Sequence, residues 1–301
     1  MRIGISVCSS YTVEDPREGA RNMIERARAA RQADLDTLFV GDHHVTPSPY
    51  FQNVPILGRM LAEWGDKPAG ALFLLPLWNP VLLAEQIGTL AAIAEGPFIM
   101  QCGLGDDRQG VSMGNEPKQR AAMFEAGLEV MRTLWRGEEA SEGRYWNIQG
   151  ARISPLPPAP VDVWVGSMAV PAINRTARMA EGWLASPGYT FAQAGEALNM
   201  YRQACAEHDR SPTAVAIRRD IFVGSSSTEA KKVVDPYIQS GYRGMSEDAL
   251  MYGSPADVAE QLAAFEELGY TDVIVRNLSS DQAESLATIE RLAEVKAELS
   301  G

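Results

Sequence analysis

The chain has 301 residues, 46% of them hydrophobic, and a formal net charge of −12 with its acidic groups scattered rather than clustered. That balance argues against a nucleic-acid or anionic-membrane surface, since both partners reward basic patches, and no stretch approaches the ~20 apolar residues of a membrane span. Cys8, Cys102 and Cys205 are an odd set without C-x-x-C spacing, and residues 1–8 turn polar too soon for a signal peptide, so a reduced, cytoplasmic protein with thiols as small apolar fillers is expected.

Short apolar runs alternate with helical patterns along nearly the whole chain. Strands are predicted over 3–8, 37–40, 70–75, 98–103, 161–166, 182–185, 216–223 and 272–275. Helices are predicted over 17–33, 80–95, 118–136, 170–180, 192–208, 227–240, 255–268 and 281–299. Ser254-Pro255 supplies an N-cap followed by proline at the first helical position, Ser227 or Thr228 can open the preceding helix, and Gly269 stops the later one. Eight strands alternating with helices over this length describe an α/β (β/α)8 TIM barrel. A doubly wound dinucleotide sheet would carry G-x-G-x-x-G after its first strand. Here Ser9-Ser10-Tyr11-Thr12 follows that strand, and Gly103-Leu104-Gly105 after the fourth lacks the third glycine. The stretch from Ser141 through Tyr145, Trp146 and Ile148 to the prolines at 155, 157 and 158 predicts a small hairpin or lid insertion before strand 5. No repeat or low-complexity tract divides the chain, so residues 1–301 are read as one domain.

The second strand ends in Thr37-Leu-Phe-Val-Gly-Asp-His43-His44. Side chains at the carboxyl end of a barrel strand point into the usual catalytic mouth, and imidazole exchanges protons near neutral pH. Asp42 is placed to orient one of the two rings. A lone histidine is more often packed or solvated than catalytic, but this placement favours a catalytic assignment for Asp42, His43 and His44. Aromatics at strand ends, Tyr11, Tyr50, Phe51, Trp78 and Trp183, are candidate substrate contacts or ordinary packing. Arg276 on the last strand is a candidate partner for an anionic substrate or a cofactor phosphate, or for a loop acid. A metal-dependent hydrolase is disfavoured, because the histidine pair lacks a matching constellation elsewhere.

An ordered set of segments resembles the luciferase-like flavin monooxygenases and their coenzyme F420-dependent relatives. It runs through Leu74-Leu-Pro76-Leu-Trp-Asn79-Pro80, Gly103-Leu-Gly105, Phe124-Glu125 to Gly137, Val163-Trp-Val-Gly166-Ser167, Ala180-Glu-Gly182-Trp183 and Gly253-Ser-Pro255-Ala-Asp257. The resemblance covers almost the whole chain and implies a TIM barrel. It also implies that Asp42-His43-His44 matches the family's acidic-histidine motif, with His43 as proton donor or acceptor in reactions at the flavin. It further implies a non-proline cis peptide beside the cofactor ring, placed here at Ala71-Leu72, and Asn79 near the ring edge. Gly166, Ser167 and Met168 open a helix and are expected to hold a phosphate. Gly103, Leu104 and Gly105 are expected to let backbone approach the cofactor.

Two departures bear on the cofactor. Gly96-Pro97 stands where relatives often have Gly-Arg, and Leu104 replaces an arginine of several FMN-binding relatives, leaving Arg108 as a nearby substitute. The long anionic tail of F420 is expected to gain little from an acidic protein, so reduced FMN is placed first and F420 second. The expected activity is a monooxygenase using reduced FMN and O2 on a small organic substrate, with a separate reductase and a homodimer or higher homo-oligomer. The alternatives are F420-dependent hydride transfer and a non-catalytic flavin-binding barrel.

Overall fold

The computed structural model describes residues 1–300. In chain order the elements are β1 (Arg2–Val7), α1 (Pro16–Gln32), β2 (Thr37–Val40), α2 (Asn53–Trp64), β3 (Ala69–Leu74), α3 (Pro80–Ile93) and β4 (Phe98–Gly103). Then come α4 (Asp107–Ser112), α5 (Arg120–Trp135), β5 (Ala140–Glu142), β6 (Ile148–Ala151), β7 (Asp162–Gly166), α6 (Val170–Met179) and β8 (Gly182–Ala185). The chain finishes with α7 (Phe191–Glu207), β9 (Ala214–Val223), α8 (Ser227–Gln239), β10 (Leu250–Gly253), α9 (Pro255–Leu268), β11 (Asp272–Asn277) and α10 (Gln282–Ser300).

All eight predicted strands form, and they close. The order β9-β11-β1-β2-β3-β4-β7-β8 returns to β9 through a parallel pairing of Gly182–Ala185 with Ala214–Ile217. The result is a (β/α)8 barrel. Caps fix several helix starts. Thr190 and Ser254 each make a capping box, and Ser226, one residue before the predicted pair, caps α8. Among the described residues no helix is long and apolar enough to cross a membrane.

Three elements differ from expectation, one of them the short helix α4 (Asp107–Ser112), which Asp106 caps by accepting from the Gln109 N–H. Helix α2 was not predicted; Pro55 and Gly58 interrupt its pattern, yet Ile56, Leu57, Met60, Leu61 and Trp64 bury one face of it. The short strand β10 was also not predicted, and it pairs with β9 outside the closed barrel, Leu250 beside Asp220. The hairpin β5–β6 forms before β7, the fifth barrel strand, but it is not a lid. It follows a helix, which returns the chain to the face opposite the strand carboxyl ends. The Trp146 ring lies against α5, where a Cβ at Gly127 would come within 3.3 Å of it.

The barrel interior is filled by alternation of large and small. Phe39, Ile99, Trp164 and Ile274 form a buried cluster with Ala214 and Ala216, while neighbouring strands contribute Gly4, Gly70 and Gly182. A Cβ at Gly70 would stand 1.7 Å from the Ile99 carbonyl oxygen. Backbone cannot yield as a flexible side chain does, so Gly70→Ala is expected to destabilise the protein by at least about 2 kcal/mol. Gly143, with nothing within 4 Å of an added Cβ, should tolerate alanine within about 0.5 kcal/mol. Urea denaturation midpoints of the two variants measure the difference.

Candidate active site

The loops after β1 and β2 are zipped together over the barrel mouth. Ser10 and Tyr50 form an isolated antiparallel bridge. The Phe51 N–H donates to the Ser9 carbonyl at 3.0 Å. This pairing brings Cys8 and His43 to one cavity of about 350 Å³, whose walls also include Tyr50, Leu72, Arg218, Arg243 and Arg276.

Asp42 is buried and its partners divide the histidine pair. Oδ2 accepts from the Leu74 N–H at 2.8 Å and from the Trp78 indole at 2.9 Å. Oδ1 lies 2.9 Å from His44 Nε2, in contact but without the alignment of a hydrogen bond. Asp42 therefore holds His44, whose backbone N–H donates to Gln109 at 2.8 Å and whose ring meets Trp78 edge-on. His43 faces the cavity instead, its ring tilted against Tyr50 and its Nε2 3.4 Å from Arg108 Nη2. Burial, then Arg108 and His44, hold the His43 pKa below the ordinary 6.5. At neutral pH His43 is a neutral base. Tyr50, pushed up to about 12 by burial, stays protonated, and Gly41 leaves room for it, since a Cβ there would stand 2.6 Å from the Tyr50 hydroxyl oxygen.

Opposite His43 lies an ionic cluster built from β9 and β11. Asp220, fully buried, accepts from Arg276 Nη1 at 2.9 Å and from the Tyr242 hydroxyl at 2.8 Å, and from Arg218 Nε at 3.2 Å. Burial alone would raise the Asp220 pKa, but Arg218 and Arg276 outweigh it and hold it low. The second arm of Arg276, Nη2, donates to Cys8 Sγ at 2.9 Å. Arg218 Nη2 is buried and has no partner. Arg243 reaches the same cavity from a turn in which it adopts a left-handed φ of 50°, a conformation that costs an arginine energy and that clusters at functional sites.

Several sequence expectations are corrected here. Cys8 is not a filler: it lines the cavity and contacts Arg276 and Ser10. Trp183 is 0% exposed and stacks on Tyr201 and Tyr270 in the helix–sheet core, because its indole donates inward to the Ser167 carbonyl. Tyr11 stacks on Phe51 at 4.5 Å, away from the cavity wall. Arg276 pairs with an acid of the next strand, not with a loop acid. The Ala71–Leu72 peptide is trans, and β3 keeps an unbroken register through it against Met100 and Gln101.

Asn79 is exposed and caps α3, its Oδ1 accepting from the Val81 and Leu82 N–H groups. Gly103–Gly105 and Gly166–Met168 lie at the carboxyl ends of β4 and β7, but do not line the His43 cavity. Ser167 accepts from Thr176 and its N–H donates to Leu184, while Met168 is exposed and its carbonyl accepts from Tyr189. Arg120, not singled out from the sequence, donates to the Gly105 carbonyl and pairs with Asp107. Asn53, also missed, donates to the Leu72 carbonyl at 2.7 Å and so fixes the cavity floor. The signal for the ionic cluster was present as Arg218-Arg219-Asp220 inside an otherwise apolar strand.

A closed parallel barrel with a basic, histidine-bearing cavity at its carboxyl end defines a TIM-barrel enzyme. The sequence model of the luciferase-like monooxygenase family matches residues 1–248. The chain belongs to that family and is an oxidoreductase of its flavin- or F420-dependent kind. Among relatives, an F420-dependent glucose-6-phosphate dehydrogenase from Intrasporangium calvum is 22% identical over 89% of this chain and 92% of its own. The oxygenating constituent of 3,6-diketocamphane monooxygenase from Pseudomonas putida, in complex with FMN, superposes with a TM-score of 0.83 at 19% identity, covering 99% of this chain and 98% of that one. An F420-dependent secondary alcohol dehydrogenase in complex with an F420-acetone adduct gives a TM-score of 0.82 at 16% identity over 99% and 98%.

The thiols should separate by pH. Burial raises the Cys8 pKa, but Arg276 and the Ser10 hydroxyl overcome it and the net shift is downward from 9.0, whereas burial raises Cys102 and Cys205. Alkylation of Cys8 is therefore expected to reach its plateau at lower pH than that of the other two, followed by peptide mass spectrometry. Arg276→Met should move the Cys8 profile to higher pH; a profile unchanged by that substitution would contradict the pairing.

Proposed function

We propose that the protein is an F420-dependent oxidoreductase that transfers a hydride between the cofactor and the carbinol carbon of a small anionic alcohol. The observation that carries this reading is the set of arginines, Arg218, Arg243 and Arg276, facing His43 across one cavity in a protein of net charge −12. The long anionic tail of F420 was expected to gain little from the net charge of −12, and locally placed arginines supply what that net charge does not. Positive charge is concentrated at the mouth, and the buried, unpartnered Arg218 Nη2 fits an anionic oxygen. The F420-dependent relatives, similar over about nine-tenths of both chains, support this cofactor ahead of FMN.

The cofactor would be held at Leu72, Gly103–Gly105 and Gly166–Met168, with Arg108 and Arg120 as nearby cations. It supplies a two-electron hydride acceptor when bound. The chain's own residues would do the rest. Arg218 and Arg276 bind the substrate anion and orient the carbinol; neutral His43 removes the hydroxyl proton as the C–H electron pair leaves; Asp42 and Trp78 keep the neighbouring His44 in place. In this direction the enzyme reduces its own cofactor, so a consumer of reduced F420 takes the place of a separate reductase.

Titration of the purified protein with F420 and with oxidised and reduced FMN tests the reading. Preferential F420 binding followed by oxygen-independent loss of the deazaflavin absorbance with an anionic alcohol is the expected result; FMN binding with O2 consumption would replace it by the monooxygenase. With substrate in hand, His43→Ala should lower kcat by about 10²–10⁴, whereas Arg276→Met should act mainly on KM. Because the base works unprotonated and its pKa lies below 6.5, kcat/KM should be flat at neutral pH and fall as pH drops through that depressed value.

A further inference from the structure

Strand β9 carries a second arginine whose position the chemistry at the mouth does not explain. Side chains alternate along a strand, so Arg218 and Asp220 face the barrel mouth while Arg219 faces outward into the layer between the sheet and the helices. There it is 1% exposed. Its Nη1 donates to the Pro187 carbonyl at 3.1 Å, and its guanidinium sits over the Phe265 ring at 4.6 Å. Nη2 is buried without a partner, and among the described residues no carboxylate pairs with it. Burial brings its pKa down to about 10, with the charge of Asp220 and the Tyr270 hydroxyl opposing only in part. A buried guanidinium with a free N–H is costly to leave unpaired.

Arg219 is one wall of a cavity of about 310 Å³ separate from the His43 cavity, between α9 and β10 with the start of α7 above it. That volume is at the low end for small-molecule sites. The other walls are mostly apolar: Leu250, Met251 and Phe265 are buried, and Phe191 leaves 43% of its surface exposed at the opening. Phe191 packs edge-on against Phe265. Asp248 and Glu260 stand exposed at the rim, where a second anionic group on a ligand would be repelled.

We propose that this cavity binds a monocarboxylate carried on a short apolar chain, its head on Arg219 and its chain along Phe191, Leu250 and Phe265. The carboxylate supplies the acceptor that Nη2 lacks. The chain covers the apolar walls, and a single charge suits the acidic rim. The site does not depend on which cofactor or substrate the mouth takes.

Calorimetric titration of the full protein with decanoate, without cofactor, tests it. Saturable one-to-one binding is expected, weakened at least tenfold by Arg219→Gln and by Ala264→Phe, which fills the cavity while keeping the arginine. Binding should be unaffected by His43→Ala in the other cavity, and decanol should bind at least tenfold more weakly than decanoate. Should Arg219→Gln fail to fold, Ala264→Phe and the decanol comparison decide. The proposal is overturned if the native protein does not bind decanoate at millimolar concentration, if either cavity variant binds it as the native protein does, if decanol matches decanoate, or if His43→Ala abolishes binding.

Discussion

At the centre of the barrel mouth the fully buried carboxylate of Asp220 stands between two guanidiniums and a phenol, and the placement of the surrounding groups follows from it. It holds Arg276 at 2.9 Å and Arg218 at 3.2 Å, and through the Tyr242 hydroxyl it anchors the turn that presents Arg243. Arg276 in turn holds Cys8 as a thiol of depressed pKa. Removing one member of such a cluster leaves the others buried and uncompensated, at a cost of about 3–5 kcal/mol in comparable pairs. Asp220 is the one acid of this cluster against three arginines, and Asp42 across the cavity is taken up by Leu74 and Trp78, so a ligand can supply the missing negative charge.

The barrel wall makes this arrangement possible by separating two environments along one strand. The face of β9 carrying Arg218 and Asp220 looks toward polar groups and the mouth. The opposite face, with Arg219, looks into an aromatic layer of Phe265, Tyr270 and Trp183. The same residue type thus has two meanings a single position apart. At 218 it joins a charged cluster; at 219 it is an isolated cation under a ring, with a free donor and an apolar cavity beside it.

Much of the architecture is legible in the sequence itself. Strands such as Thr37-Leu-Phe-Val-Gly are short and apolar, and their order with the helices specified eight βα units. Helix α2 was hidden because Pro55 and Gly58 blur its periodicity, and its helical state comes from burying Ile56, Leu57 and Met60 against the sheet. The acidic-histidine motif marked the right strand end. It did not show that Asp42 serves His44 and leaves His43 free, which depends on where Leu74 and Trp78 present their N–H groups. Trp183 misled because a strand-end aromatic faces the core or the mouth according to the twist of the barrel, and its indole finds the Ser167 carbonyl inside.

Periodicity, strand order and the histidine motif are local properties of the chain, set by alternation and by turn residues a few positions apart, so they could be read directly. Pairings between distant residues could not. Cys8 with Arg276, Asp220 with Tyr242, and His43 with Arg108 are brought together only when the barrel closes and the mouth loops zip. Closure joins β1 to β11 across nearly the full length of the chain, and it turns scattered charges of an acidic protein into a basic cavity. Which charges meet depends on strand register and side-chain direction in three dimensions, and neither is encoded in any short stretch of sequence.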